Sequence, residues 1–507
     1  MSRNIMSNSL MNAAAGMLLL VTGFCCSIIV ARLLGPDANG TIAFALWIAT
    51  TGALVAELGT GILLMRLLPQ LRARGMEEHR RRGFAAYLAL PVVASTLGLV
   101  LLYGLLSSET GSLDGLSKAP DIVVLTGILL FVQSIGAFSK NYLIGEQRLG
   151  TFLRLTAVAS ALQLSLVLAG ALAFGVEGAL AGYIAGQVAQ FIHVLRILAA
   201  RRDSAGYSAR FLATTSAVLF FEFAVSAIFL SRPELFFLQQ FRTVGEVGFY
   251  AVALSLANLA LQLPVQLTGS LIPFYAERRE AGEGEMPSTV FSAVVRSFAY
   301  ITFPLCFGLA AIAHPLVVSI YGEAFAPSAL IVAILAAGSP AYVFVQLTTQ
   351  YLYSMDRVKV RLVASSLGAI AMVGGCLAVV PIWGGVGAAI VRGAVFLFMG
   401  ALLLARMRFA GAFLGPVVLK VAAAAAACGL AAFAVAEFLA GILGIVCAVV
   451  LGALVYGLML RLLNTVPAED TAVIGDLLDR LPSASGRLSR RFLGMVSAHA
   501  ASKPAGE

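Results

Sequence analysis

About fourteen stretches of roughly 20 predominantly apolar residues succeed one another along this 507-residue chain, and nothing else in it restricts the fold so strongly. A bilayer's hydrocarbon core is about 30 Å thick and an α-helix rises about 1.5 Å per residue, so each such run is one crossing. The runs fall at 10–34, 41–66, 84–107, 121–143, 155–175, 178–199 and 212–240. They continue at 248–274, 291–314, 328–353, 362–381, 386–405, 416–439 and 442–462. Inside a bilayer each backbone amide must find its partner within the protein, which selects helices for runs of this length. The expected fold class is therefore an all-α polytopic membrane protein. Composition agrees: 60% of residues are hydrophobic and 12% charged, about half the charge of a soluble domain.

Charge sets the orientation. With the N-terminus inside, 29 of the 34 Lys and Arg residues fall on cytoplasmic segments or adjoining helix ends. The remaining five are Arg32, Lys118, Arg232, Arg242 and Arg392. This is the positive-inside pattern, and it puts both termini in the cytoplasm. The net charge of +9 thus reads as topology rather than as a nucleic-acid surface. The first run is too long for a signal-peptide core and is expected to remain as a helix.

The chain also echoes itself. Arg32-Leu-Leu-Gly35-Pro-Asp-Ala-Asn-Gly40 ends the first run, and Arg242-Thr-Val-Gly245-Glu-Val-Gly248 precedes the eighth. Tyr142-Leu-x4-Arg148 recurs as Tyr351-Leu-x4-Arg357, and Gly175-x-x-Gly178-Ala as Gly384-x-x-Gly387-Ala, all at one offset of 209 residues. A repeat of six helices inserts both copies with the same orientation. Such parallel repeats place a substrate path between two lobes. The expected organisation is an N-terminal lobe over 1–205, a C-terminal lobe over 206–410, two appended helices in 411–465 and a cytoplasmic tail over 466–507. The tail contains two amphipathic stretches, 468–481 and 487–496, the second basic and suited to anionic lipid.

Catalytic motifs are absent: there is no Walker A sequence, GxSxG or HExxH. The longest outer loops, 107–120 and 314–327, are too short for a catalytic domain. The six cysteines lie inside apolar runs without metal-ligand spacing and read as packing residues. The four histidines have no partner identifiable from sequence. No cofactor is indicated, and the chain reads as a transporter rather than an enzyme.

The chemistry must then lie in charges within or beside the spans, where a buried charge is costly and tends to face a protein interior or a watery cavity. The candidates for substrate binding and transport are Arg232, Glu234, Glu222, Arg32, Arg242, Glu57, Arg66 and Arg392. Arg232-Pro233-Glu234 interrupts the seventh run, and the proline is expected to break the helix there. Arginine suits phosphate because its fork grips two oxygens. Acidic residues would balance the arginines or bind a coupling cation, leaving H+ and Na+ open. Arg66 also reads as a topology-setting arginine, Arg32 and Arg242 as interfacial ones, and Arg232, Glu234 and Glu222 as structural ion pairs.

Ala31-Arg-Leu-Leu-Gly-Pro, Glu57-Leu-Gly-Thr-Gly and Gly245-Glu-Val-Gly-Phe-Tyr-Ala-Val-Ala, in this order, resemble the polysaccharide transporter family. That family lies within the superfamily of multidrug, oligosaccharidyl-lipid and polysaccharide exporters. The resemblance covers roughly residues 8–465. It implies a bacterial inner-membrane flippase moving an undecaprenyl-diphosphate-linked oligosaccharide by alternating access, for O-antigen lipopolysaccharide or exopolysaccharide. It further implies a cationic cavity lined by helices 1, 2, 7 and 8, contact with membrane lipid, and a polysaccharide polymerase and chain-length regulator as partners. The alternative within the fold is a cation-coupled multidrug antiporter.

Overall fold

A computed structural model describes residues 2–109, 120–268, 271, 288–355, 357–406, 415–439 and 441–465. The tail and its two amphipathic stretches lie outside the described residues. All the regular elements among those residues are helical: α1 (Ser2–Ala56), α2 (Thr60–Ala73), α3 (Glu78–Glu109), α4 (Pro120–Gly145), α5 (Leu149–Leu198), α6 (Ala209–Ser226) and α7 (Glu234–Phe241). They continue as α8 (Val244–Thr268), α9 (Ser288–Ala311), α10 (Ala313–Tyr321), α11 (Ser328–Ser354), α12 (Val358–Ala405), α13 (Pro416–Phe438) and α14 (Gly441–Leu462). Ten of these helices are long and apolar enough to cross a membrane. The chain is a polytopic all-α membrane protein.

The difference between ten and fourteen has a local cause. Three of the ten are interrupted by a glycine with positive φ: α1 at Gly35 (φ 82°), α5 at Gly175 (φ 62°) and α12 at Gly384 (φ 53°). Each therefore contains two of the expected runs. In α5 the limbs are antiparallel, since Gly178 faces the backbone of Gly170 and Gly182 that of Val167. The seventh run is also divided: α6 ends in a π-helical turn at Ala227–Ser231, and α7 restarts after Arg232 and Pro233.

The second run departs from expectation. Hydropathy predicts one continuous helix over 41–66, but the helix stops at Ala56, and Glu57-Leu58-Gly59 form a turn before α2. Leu58 (φ 48°) and Gly59 (φ 74°) both adopt left-handed backbone. Glycine does so freely, whereas for leucine this conformation costs about 1–2 kcal/mol. A hydropathy window cannot see such a break, because nearly every residue around it is apolar or small.

The sequence repeat has a conformational counterpart. Gly175 (φ 62°, ψ −129°) and Gly384 (φ 53°, ψ −135°), 209 residues apart, make the same turn. Arg148 and Arg357 each precede a long helix with closely similar backbone angles. Their amides bond to the carbonyls of Leu143 and Leu352, both at 2.9 Å, again at the same offset.

By internal packing the chain groups into two compact units: 1–252 with 372–385, and 253–371 with 386–507. In the first, Leu64, Leu68, Phe84, Phe138, Tyr142 and Phe152 are buried together where α2, α3, α4 and α5 meet. In the second, Ile312, Ala432 and Ala448 pack where α10 approaches α13 and α14. Four of the six cysteines are buried and all are free thiols, as befits packing residues.

Candidate functional site

The first unit holds two breaks that fall within the expected apolar runs, one at Glu57–Gly59 and one at Arg232–Pro233. At the first, Glu57 is half-buried, and the Asn141 side-chain amide of α4 donates to its Oε1 at 3.0 Å. The Thr60 hydroxyl closes the turn by donating to the Glu57 carbonyl at 2.7 Å. Gly61 lies beneath the Glu57 carboxylate and the Asn141 amide, and a Cβ there would collide with Asn141. Two glycines thus flank Thr60, one supplying the turn and the other the room. Sequence reasoning does not reach Asn141, because a single amide on an apolar helix carries no motif.

At the second discontinuity Arg232 has neither helical nor strand backbone (φ −150°, ψ 43°) and is exposed, whereas Glu234 opens α7 and is fully buried. Eight residues of α7 separate this break from the helix end, about 12 Å along the axis. A carboxylate in the first turn faces the positive end of the helix dipole, which favours its placement. The π-helical turn just before Arg232 is of the kind that accompanies functional sites in long helices. Trp47 of α1 stacks on Phe44 at 5.5 Å and meets Phe236 of α7 at 6.0 Å. The restarted helix is therefore held by aromatic packing against the first.

Beside the Glu57 break lies a cavity of about 500 Å³ lined by Leu58, Thr60, Tyr87, Pro91, Leu212 and Ser216 among others. Its walls come from α2, α3, α6 and the turn itself, and they are mostly apolar. A polar discontinuity thus borders a space suited to hydrocarbon.

The other expected site residues are dispersed. Arg242 caps the end of α7, half-buried, with its Nε 3.3 Å from Oε1 of Glu246 in the first turn of α8. Its guanidinium reaches the Ile382 carbonyl at 3.5 Å, while Glu246 Oε2 accepts from the Gly385 amide at 3.2 Å. Glu246 therefore ties Arg242 to the Gly384 turn. Arg32 is exposed on α1, just ahead of Gly35, so the two arginines echo each other in sequence but not in surroundings. Arg66 is exposed on α2. Arg392, in the second unit, sits 5.3 Å above the Phe396 ring, which Tyr342 meets edge-on at 4.9 Å. Glu222 falls on α6, and its side chain lies outside the described residues.

A separate ionic cluster secures the basic end of the first unit. Arg81 grips Glu146 with two bonds, Nε to Oε1 at 2.8 Å and Nη2 to Oε2 at 2.9 Å, with both residues buried. Arg80 donates to Asp203 at 2.8 Å, and Asp203 also accepts from the Ala205 amide at 2.8 Å. Bonding to Arg80 is the main cause holding the Asp203 carboxyl below its ordinary value, with the Ala205 amide next. These pairs join the first turn of α3 to the segments before α5 and α6, and their role is to hold helix ends. Among the histidines, His193 shares a 2.7 Å hydrogen bond with Ser139.

The fold is shared with solved transporters. The lipid II flippase MurJ in an inward closed conformation superposes with a TM-score of 0.70 at 12% identity, covering 89% of this chain and 97% of that one. An inward-facing MATE family multidrug resistance transporter gives 0.61 at 16% identity, over 81% of this chain and 99% of that one. A transporter of the MOP superfamily from Pyrococcus furiosus gives 0.54 at 16%, over 81% and 96%. At these identities the likeness concerns the fold. No curated protein matches the sequence significantly. The family model described as "polysaccharide biosynthesis protein" matches residues 29–330, more than half of the chain, and the chain belongs to that family.

Proposed function

We propose that this protein is a flippase that moves an undecaprenyl-diphosphate-linked oligosaccharide from the inner to the outer leaflet of the bacterial inner membrane by alternating access. The observation that carries the reading is Arg232, an exposed arginine at the break between α6 and α7, inside the seventh apolar run. Discontinuous helices are where transporters of repeated architecture bind charged substrates, and a guanidinium matches the paired oxygens of a diphosphate. Membership of a polysaccharide biosynthesis family makes a sugar-bearing lipid the fitting cargo. The likeness to a structure named as a lipid II flippase favours the same class. The apolar cavity beside Glu57 offers hydrocarbon a place close to a polar break. Product would pass to a polysaccharide polymerase and chain-length regulator, for O-antigen or exopolysaccharide assembly.

The test is complementation in a strain deleted for this protein and for any substitute flippase. Wild type restores surface polymer. Arg232→Ala, present at equal level in the membrane, leaves lipid-linked oligosaccharide accumulated on the inner leaflet. Normal polymer with Arg232→Ala would sink the assignment of that residue, and normal polymer in the deletion would sink the flippase itself.

A second reading, a cation-coupled multidrug antiporter, is favoured by one observation: a carboxylate, Glu57, hydrogen-bonded by Asn141 at an unwound turn. Under the flippase reading the same pair would couple H+ or Na+ to transport. Drug resistance that depends on Glu57 in a strain with unchanged polymer would select the antiporter.

A further inference from the structure

In the second unit, the two limbs of α12 form a groove remote in sequence from the breaks described above. The groove encloses about 280 Å³ and is lined by Lys359, Val363, Ala364 and Leu367 from the first limb and by Leu402 and Arg406 from the second. Lys359, Val363 and Leu367 recur every four residues, so they run down one helix face. Leu402 and Arg406 have the same spacing on the opposing limb. The limbs are antiparallel, because Gly368 packs against Met399 on either side of the turn. Antiparallel pairing brings the start of the first limb beside the end of the second. The two cations therefore share the mouth of the groove and the aliphatic residues form its floor.

From Lys359 to Leu367 the groove descends about 12 Å, close to the roughly 15 Å hydrocarbon depth of one leaflet. Its mouth lies on the lysine- and arginine-rich side, which the charge distribution predicts to be cytoplasmic. Both cations are exposed, and neither has a carboxylate partner among the described residues. Ordinary interfacial cations snorkel separately along apolar stems. These two, from different limbs, converge on one cavity whose remaining walls are apolar.

We propose that this groove binds one anionic phospholipid of the cytoplasmic leaflet, its phosphate between Lys359 and Arg406 and an acyl chain along Val363 and Leu367. The charge of the mouth excludes a zwitterionic lipid from comparable affinity, and the aliphatic floor suits an acyl chain. The site is independent of Arg232 and Glu57, so it stands whatever the transported substrate.

The experiment uses the full-length protein in detergent, titrated with phosphatidylglycerol or phosphatidylcholine and read by native mass spectrometry. Wild type retains one phosphatidylglycerol per chain in preference to phosphatidylcholine. K359A/R406A weakens phosphatidylglycerol binding roughly 30-fold, as expected for two interfacial cations, while K359R/R406K keeps it. Val363→Trp, which fills the groove without changing charge, also removes the bound lipid and serves as the deciding variant if the double alanine protein is not monodisperse. Equal retention of the two lipids by wild type overturns the proposal, as does wild-type affinity in both K359A/R406A and Val363→Trp. Displacement of phosphatidylglycerol by a polyprenyl diphosphate at equimolar concentration would overturn it as well, by making the groove a substrate site.

Discussion

Asn39 donates its side-chain amide to the carbonyl of Gly248 at 3.1 Å, linking the first glycine turn to its echo 209 residues later. Around that bond the two segments cross in a near-symmetric way. A Cβ on Gly40 would collide with the Val244 carbonyl, and one on Gly248 with the Pro36 carbonyl. Pro36 and Gly40 are each 208 residues before Val244 and Gly248, so each segment makes the other's contact. The repeat is thus read out as a backbone crossing that only glycine permits.

Gly40→Val and Gly248→Val should each destabilise the protein by about 3 kcal/mol, the upper end for overpacking, because the opposing atoms are backbone and cannot rotate away. Gly98→Ala supplies the comparison: nothing lies within 4 Å of the added methyl, and alanine is the better helix former by about 1 kcal/mol. Scanning fluorimetry of the detergent-purified proteins should show a lowered transition for the two valine variants and none for Gly98→Ala. Equal transitions for all three would mean that the crossing is not tight.

Removing the Asn141 amide isolates the Glu57 turn. Asn141→Leu leaves Glu57 Oε1 without its 3.0 Å donor, a loss of about 1 kcal/mol for a carboxylate that is only half-buried. The same substitution in a Glu57→Leu background should cost less, since the acceptor is gone. A double-mutant cycle in thermal stability measures this coupling directly; strict additivity would show that the bond contributes nothing.

Arg81 and Glu146 should behave differently, being buried and bidentate. Truncating either one leaves the other charge buried without its partner, at about 3–5 kcal/mol. Arg81→Met/Glu146→Leu together should restore much of that stability, because the double variant leaves neither charge behind. A double variant as unstable as the sum of the singles would assign the pair a packing role instead.

Asp203 gives a pH dependence with a defined sign. Bonding to Arg80 and to the Ala205 amide depresses its folded-state value, so the unfolded chain binds more protons in the window between the two values. Its contribution is therefore fully present above the ordinary aspartate range and is lost as pH falls through the depressed value. The stability difference between wild type and Asp203→Asn should accordingly shrink on acidification. A difference that stays constant from neutral pH to below about 3 (beneath the ordinary aspartate value of about 3.9) would remove the Arg80 bond as its source. The pair is exposed enough for the effect to be small and salt-sensitive.

Much of this architecture is legible in the sequence because membrane spans are long, apolar and bounded by charge. The Gly175 and Gly384 turns can be paired by spacing alone, since a tight reversal between helices favours glycine with positive φ. The break ahead of Glu234 is legible for a similar reason: a proline in a helix interior removes a backbone hydrogen bond and crowds the preceding turn. The Glu57 break is not, because leucine disfavours left-handed backbone and at Leu58 tertiary packing overrides that preference. Nor are the partners of the charges. Asn141 lies 84 residues from Glu57, and the Glu246 carboxylate reaches Gly385 across 139. Pairings at such separations leave no local pattern.

The chemical nature of the proposed substrate bears most directly on Arg232. A diphosphate presents several oxygens on each phosphorus, and arginine can hold two at once through its fork, whereas lysine offers a single point charge. If Arg232 recognises the diphosphate, Arg232→Lys should transport measurably but poorly, and Arg232→Ala should fall further. The loss of one charge-assisted bond in Arg232→Lys corresponds to about 1.5–3 kcal/mol, or roughly 10- to 150-fold in affinity. If Arg232 instead only neutralises Glu234, the lysine variant should support wild-type polymer, because the charge is conserved. Surface polymer measured for Arg232→Lys, Arg232→Ala and Arg232→Ala/Glu234→Gln at matched membrane levels separates the two roles. Recovery of export in the last variant would assign Arg232 to the internal pair, and continued loss would assign it to the substrate.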